Sequence, residues 1–136
     1  MKSLNSVLLV VFCLFLIPQV SNSGDLNTST DDLRGAKVIA QDANNTYLGT
    51  ISGRLYSDSI FNEFGKYGSK TSSTSIWNED CPFGDKSSEY SPFNPYTHTP
   101  PVLKKGGRVV GYLTENISIS KGVKPSMLKT MRDEFR

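Results

Sequence analysis

The chain has little of what most small enzymes and metalloproteins are built from. Its 136 residues include two cysteines and one histidine, and only 37% of them are hydrophobic. A single histidine excludes every site that needs two, and the sequence has no phosphate-binding glycine loop, no His-Glu-x-x-His and no Gly-x-Ser-x-Gly. The net charge of +2 is far from the broad basic surface of nucleic-acid-binding proteins. We therefore expect one small domain with a thin core, no cofactor or metal, and no nucleic acid as a partner.

Long hydrophobic runs are also absent, except at the N-terminus. Lys2 precedes an apolar run over residues 7–17, and the small residues Ser21 and Ser23 follow it. This order is typical of a secretory signal peptide, and the run is too short for the roughly 20 residues of a membrane-spanning helix. We predict a signal peptide over residues 1–23, a secreted or periplasmic protein and no transmembrane anchor after cleavage.

The remaining chain divides into a polar stretch and one domain. Residues 24–35 contain few large apolar side chains and are expected to form a flexible leader, while 36–136 form a single small domain. Two β-hairpins are predicted at its ends, one around Asn44-Asn45 and one around Gly106-Gly107. The two segments align with each other at a constant offset, so we expect related hairpins that pack together.

A short amphipathic helix is predicted at the C-terminus. Pro125 suits its first turn, and four apolar side chains are expected on one face: Met127, Leu128, Met131 and Phe135. The predicted fold is a small α+β domain, mainly β, in which two hairpins flank a turn-rich aromatic segment and this helix follows.

The turn-rich segment, residues 57–96, contains an internal repeat. A motif of Ser, two apolar or aromatic residues and Asn recurs at a constant interval. The copies are Ser59-Ile60-Phe61-Asn62, Ser75-Ile76-Trp77-Asn78 and Ser91-Pro92-Phe93-Asn94. We expect short helical turns and ordered loops here, including a helix of one or two turns over Ser57–Gly65 with Phe64 on the same face as Ile60 and Phe61.

The aromatic residues of this segment have two interpretations. In the first they form the core, because a chain with few aliphatic residues needs large side chains to bury area, and Trp77 is then expected to be buried. In the second, four of them face a ligand: Tyr67, Trp77, Tyr90 and Tyr96. Stacking rings and side-chain amides suit a glycan, and a peptide or another component of the cell envelope is a further candidate partner.

One enzymatic alternative remains open. Cys81 would be a nucleophile and His98 its base, because a thiol needs a neighbouring base or cation to become a thiolate. The same two residues could join Asp80 and Asp85 in a metal site, but the paired ligands and calcium-loop spacing of known sites are missing. We therefore favour a non-catalytic binding or structural module over a thiol-dependent enzyme.

Five motifs occur in order along the chain: SxSIFNEFGKYGS, SxSIWN, YSPFNPY, PPV and VGYLTEN. Together they resemble the sequences of a group of uncharacterised small exported bacterial proteins, and the resemblance covers Leu48 to Asn116. The resemblance implies an exported bacterial protein. It implies no activity and no site residues, since none are assigned in that group.

Overall fold

The computed structural model describes residues 28–136. They form a five-stranded mixed sheet with two short α-helices and a 3-10 helix. The predicted small α+β fold, mainly β, is confirmed. The predicted signal peptide, residues 1–23, lies outside the described residues.

The sheet is built from short strands. Their bounds are β1 Lys37–Ile39, β2 Tyr47–Thr50, β3 Val102–Lys105, β4 Arg108–Leu113 and β5 Gly122–Val123. They lie in the sheet in the order β2-β1-β3-β4-β5, and neighbours pair antiparallel except β4 and β5, which are parallel. Pairing of β1 with β3 joins the N-terminal and C-terminal halves of the domain.

The connections at the two predicted hairpin turns differ. Gly106 and Gly107 link β3 directly to β4 with φ of 60° and 78°, the left-handed conformations that a two-residue turn requires. Residues 40–46 link β1 to β2, and here only Asn45 has a positive φ, of 49°. The expected equivalence of the two turns is therefore wrong, and the relation between the two halves stays a prediction.

The expected flexible leader is wrong for the part that the structure describes. Helix α1 spans Thr30–Leu33, and the Ser29 hydroxyl caps it by accepting the Asp32 N–H at 3.2 Å. Leu33 is 3% exposed and belongs to the core. Burial of this one large apolar side chain holds the polar stretch against the sheet.

The C-terminal helix forms, although its apolar face is smaller than expected. Helix α2 spans Pro125–Thr130 and is followed by a 3-10 helix over Arg132–Phe135. Leu128 and Phe135 are buried, whereas Met127 is 49% exposed. The predicted face of four residues is thus wrong at Met127, because it lies about 100° around the helix from Leu128.

Between β2 and β3 the chain forms consecutive β-turns. Each turn begins and ends at a residue that we call a corner, and the backbone N–H of one corner donates to the carbonyl of the preceding corner. Examples are Asn62 to Ser59 at 3.2 Å, Asn78 to Ser75 at 3.2 Å and Asn94 to Ser91 at 3.3 Å. Four steps of three residues and one of four bring the chain from each repeated serine to the next. We call residues 59–97 the turn coil, and the stretch that begins at each repeated serine is one coil of it. The helix predicted over Ser57–Gly65 is wrong, because only every third residue closes such a bond here.

Side chains at the corners stabilise the turn coil. Serine, threonine, asparagine and aspartate oxygens accept the backbone N–H two residues ahead, as in Asx- and ST-turns. The asparagines also donate from Nδ2 to the carbonyl six residues back. These bonds are Asn62 to Tyr56 at 3.0 Å, Asn78 to Ser72 at 2.8 Å and Asn94 to Ser88 at 3.0 Å.

The four-residue step of each full coil requires glycine. An added Cβ on Gly68 would lie 2.0 Å from the Asn62 carbonyl oxygen, and one on Gly84 would lie 2.0 Å from that of Asn78. Real Cβ atoms do not approach so closely. The Gly that follows Tyr67 or Phe83 therefore allows the chain to pass against the backbone of Asn62 or Asn78.

The turn coil is joined to the sheet near both of its ends. At one end Thr50 of β2 donates to the Asp58 carbonyl at 2.8 Å and accepts from Ile60 at 2.9 Å. At the other, the Glu115 N–H just after β4 donates to the Pro92 carbonyl at 2.8 Å. The first and third coils thus occupy fixed positions, and the buried Ile60 and Ile76 complete the core beneath them.

Candidate functional site

The repeat places one aromatic ring of each coil in a row. Phe61, Trp77 and Phe93 follow the repeated serine by two residues, and neighbouring ring centroids are 6.4 and 5.7 Å apart. Phe135 extends the row by stacking on Phe61 at 6.0 Å with an interplanar angle of 11°. We call these four rings the aromatic ladder. Contacts between rings fix their relative positions.

Trp77 is the member of the ladder with the most polar contacts. Its Nε1 donates to the Ile60 carbonyl at 2.5 Å, and the Lys129 Nζ lies 5.1 Å from its ring centroid in a cation–π contact. The ring packs against the core but is half-buried. Trp77, which was expected to be buried, is therefore only partly buried, because α2 and the 3-10 helix cover only part of this row.

A groove runs along the ladder between the turn coil and the C-terminal helices. Its larger part is a cavity of about 670 Å³ and an adjoining part measures about 330 Å³. Lys70, Trp77, Lys129 and Arg132 line both parts. We call the two parts together the Trp77 groove. The volume of its larger part lies within the roughly 300–1,000 Å³ range of small-molecule sites.

The Trp77 ring forms the apolar floor of the groove, and charged side chains line the groove around it. Lys70 and Lys86 occupy the same position in consecutive coils and join Lys129 and Arg132 in the lining. Acidic side chains line the groove as well: Glu63, Glu79 and Asp133. Within residues 28–136 the only ion pair closer than 4.0 Å joins Arg34 to Asp31, and neither residue lines the groove. The groove charges are therefore available to a ligand.

Of the four aromatic residues predicted to face a ligand, the structure brings only Trp77 to the groove. Tyr67 is half-buried and packs edge-on against Tyr47 with centroids 5.0 Å apart. Tyr90 is half-buried beside Glu89, whose carboxylate raises the pKa of its hydroxyl. Tyr96 is 83% exposed. The four side chains do not form one surface.

Sequence reasoning missed the charged residues of the groove, although a signal was present. Glu63 recurs as Glu79 and Lys70 recurs as Lys86, each at the same interval as the repeated serines. The repeat is most visible in its aromatic and polar motif, which draws attention away from the recurring charges. The contributions of Lys129 and Arg132 carried no comparable signal, because they depend on how the C-terminal segment docks.

The proposed thiol dyad is not assembled. Cys81 is buried at a turn corner, where its Sγ donates to the Ser75 carbonyl at 3.4 Å. His98 is exposed and makes no hydrogen bond with Cys81 in the structure. Across residues 28–136, no group of three or more His, Cys, Asp or Glu side chains is placed to hold a metal ion.

Comparison with protein families, curated proteins and solved structures found no match to this chain. Among the helices of residues 28–136, none has the length and hydrophobicity needed to cross a membrane.

Proposed function

We propose that the chain is an exported, non-catalytic binding module that holds its ligand in the Trp77 groove. The observation that carries this proposal is the groove itself, a ligand-sized cavity whose floor is a half-exposed ring and whose charged side chains lack ion-pair partners within the described chain. A flat apolar floor with a few convergent polar groups is the usual composition of a small-molecule site.

The rigidity of the turn coil supports binding. Backbone turns and corner side chains hold the ladder before any ligand arrives. For example, the Ser75 hydroxyl oxygen accepts the backbone N–H of Trp77 at 3.2 Å. A preformed site loses less conformational entropy on binding than a flexible one. The same rigidity fixes Lys70 and Lys86 one coil apart along the groove.

The environment of Cys81 favours binding over thiol catalysis. Its thiol is buried and donates to the Ser75 carbonyl, and among the described residues no base is hydrogen-bonded to it as an activated nucleophile requires. Export is proposed from the N-terminal sequence and from the resemblance to exported bacterial proteins. A glycan, a peptide or another cell-envelope component is the partner class that follows from that location.

An array of glycans and peptides probed with the purified protein tests the proposal. Ser126 lines the groove and Met127, beside it in α2, is exposed outside the lining. Ser126→Phe should fill the groove and abolish binding, whereas the matched control Met127→Phe should bind as the wild type does. Binding that survives Ser126→Phe, or an array without any bound probe, would contradict the proposal.

A further inference from the structure

From the arrangement of charge along the Trp77 groove we infer that its ligand is an acidic oligosaccharide, with a carboxylate on its sugar units. This inference rests on the proposed function, since it assigns a ligand class to the same groove. Three observations support it: repeated charge, mixed charge and the aromatic floor.

The first observation is that the groove presents the same charges twice. Glu63 and Lys70 belong to one coil, and Glu79 and Lys86 are their equivalents in the next. Ring centroids of neighbouring coils lie 5.7–6.4 Å apart, so the charged positions also recur over a short distance. Consecutive, similar subsites suit a ligand made of similar consecutive units, as an oligosaccharide is.

The second observation is that the groove lining holds both cations and carboxylates. Lys70 and Lys86 can each pair with a carboxylate of the ligand, and Arg132 adds a fork of donors suited to the same group. When they are ionised, the Glu63 and Glu79 carboxylates accept hydrogen bonds but cannot donate them, so they need donors opposite them. A uronate sugar offers both, because its hydroxyls donate while its carboxylate accepts. A polyphosphate offers acceptors alone and would be repelled by the two glutamates.

The third observation concerns the floor. Trp77 offers part of an indole ring between the Phe61 and Phe93 rings, and its Nε1 is already occupied by the Ile60 carbonyl. The ring therefore contributes an apolar surface, which fits the C–H face of a sugar ring. The cation at Lys129 lies over the same indole and can reach a ligand carboxylate stacked nearby.

Calorimetric titration with tetragalacturonate and with its methyl ester tests the ligand class. The ester keeps the sugar and removes the charge. We expect the acid to bind at least tenfold more tightly than the ester, and its affinity to fall with added salt. Equal affinity for acid and ester would overturn the inference, as would tighter binding of tetra-aspartate or of inorganic triphosphate.

Charge-neutralising variants locate the binding. Lys70→Gln with Lys86→Gln should weaken tetragalacturonate binding at least tenfold. Lys104→Gln with Arg108→Gln removes the same charge from exposed positions of β3 and β4 and should change the affinity less than twofold. Equal losses in the two double variants would overturn the inference by showing attraction to overall charge alone.

The two proposals fail in different ways. If only the acidic-sugar inference is wrong, another probe still binds and Ser126→Phe still abolishes that binding. If the binding function is wrong, no probe depends on the groove.

Discussion

Gly84→Ala should destabilise the turn coil strongly. The added Cβ would meet the Asn78 carbonyl oxygen at 2.0 Å, its carbon at 2.6 Å and the Ile76 carbonyl oxygen at 2.8 Å. All three atoms are backbone, so no side chain can rotate away. Relief requires displacement of the Asn78 corner from the coil.

The cost follows from the bonds at that corner. Overpacking alone costs about 1–3 kcal/mol. Displacing Asn78 also weakens its Nδ2 bond to the Ser72 carbonyl at 2.8 Å and the Asp80 N–H bond to its Oδ1 at 2.9 Å, each contributing about 1 kcal/mol. We expect a loss of about 3–5 kcal/mol, a large part of the roughly 5–15 kcal/mol that stabilises a domain.

Urea unfolding followed by the emission of Trp77 measures this loss. Gly106→Ala is the matched control, because nothing lies within 4 Å of its Cβ and only its φ of +60° is unfavourable. We expect this control to lose about 1–2 kcal/mol. A loss in Gly84→Ala no larger than that of the control would refute the close packing described for the coil.

Two further predictions concern single side chains. Trp77→Ala should lower the free energy of unfolding by about 3 kcal/mol, near the lower end for a large aromatic because the ring is half-buried. Trp77→Phe keeps a ring in the ladder but loses the Nε1 bond to the Ile60 carbonyl, and it should cost about 1 kcal/mol. Denaturant unfolding followed by circular dichroism measures both losses, and a loss below about 1 kcal/mol for Trp77→Ala would contradict the ladder. Burial, and then the Asp58 carboxylate 3.1 Å away, raise the pKa of Tyr47 from 10.0 to about 12. Between these two pH values the folded state keeps the Tyr47 proton while the unfolded state loses it. The free energy of unfolding should therefore fall as pH rises from 10 to 12. Tyr47→Phe should flatten that fall, and an unchanged slope would show that Tyr47 does not cause it.

The elements that sequence patterns predicted are those encoded locally. Pro125 marks the start of α2, and Gly106-Gly107 marks a tight turn, because each residue type restricts its own backbone. The regular spacing of Ser59, Ser75 and Ser91 is visible in the sequence for the same reason. Short turns and ordered loops were predicted here, but their regular succession into a coil was not, because turn corners every three residues resemble ordinary polar loop composition.

The groove depends on contacts between distant parts of the chain. Lys70 and Lys129 are far apart in the sequence. Both line the groove because Leu128 and Phe135 pack the C-terminal segment against the core and the Phe61 ring. No local pattern specifies that docking. Met127 shows the limit of periodicity alone, since its spacing suits the apolar face while its position on α2 leaves it exposed.

The emission of Trp77 during titration with tetragalacturonate tests the ligand site most directly. Trp77 is the only tryptophan of the chain and forms the groove floor, so its signal reports this site alone. We predict a saturable change in emission and protection of the ring from acrylamide quenching, both absent in Ser126→Phe. Saturable binding by calorimetry with no change in the emission or quenching of Trp77 would contradict the groove as the site.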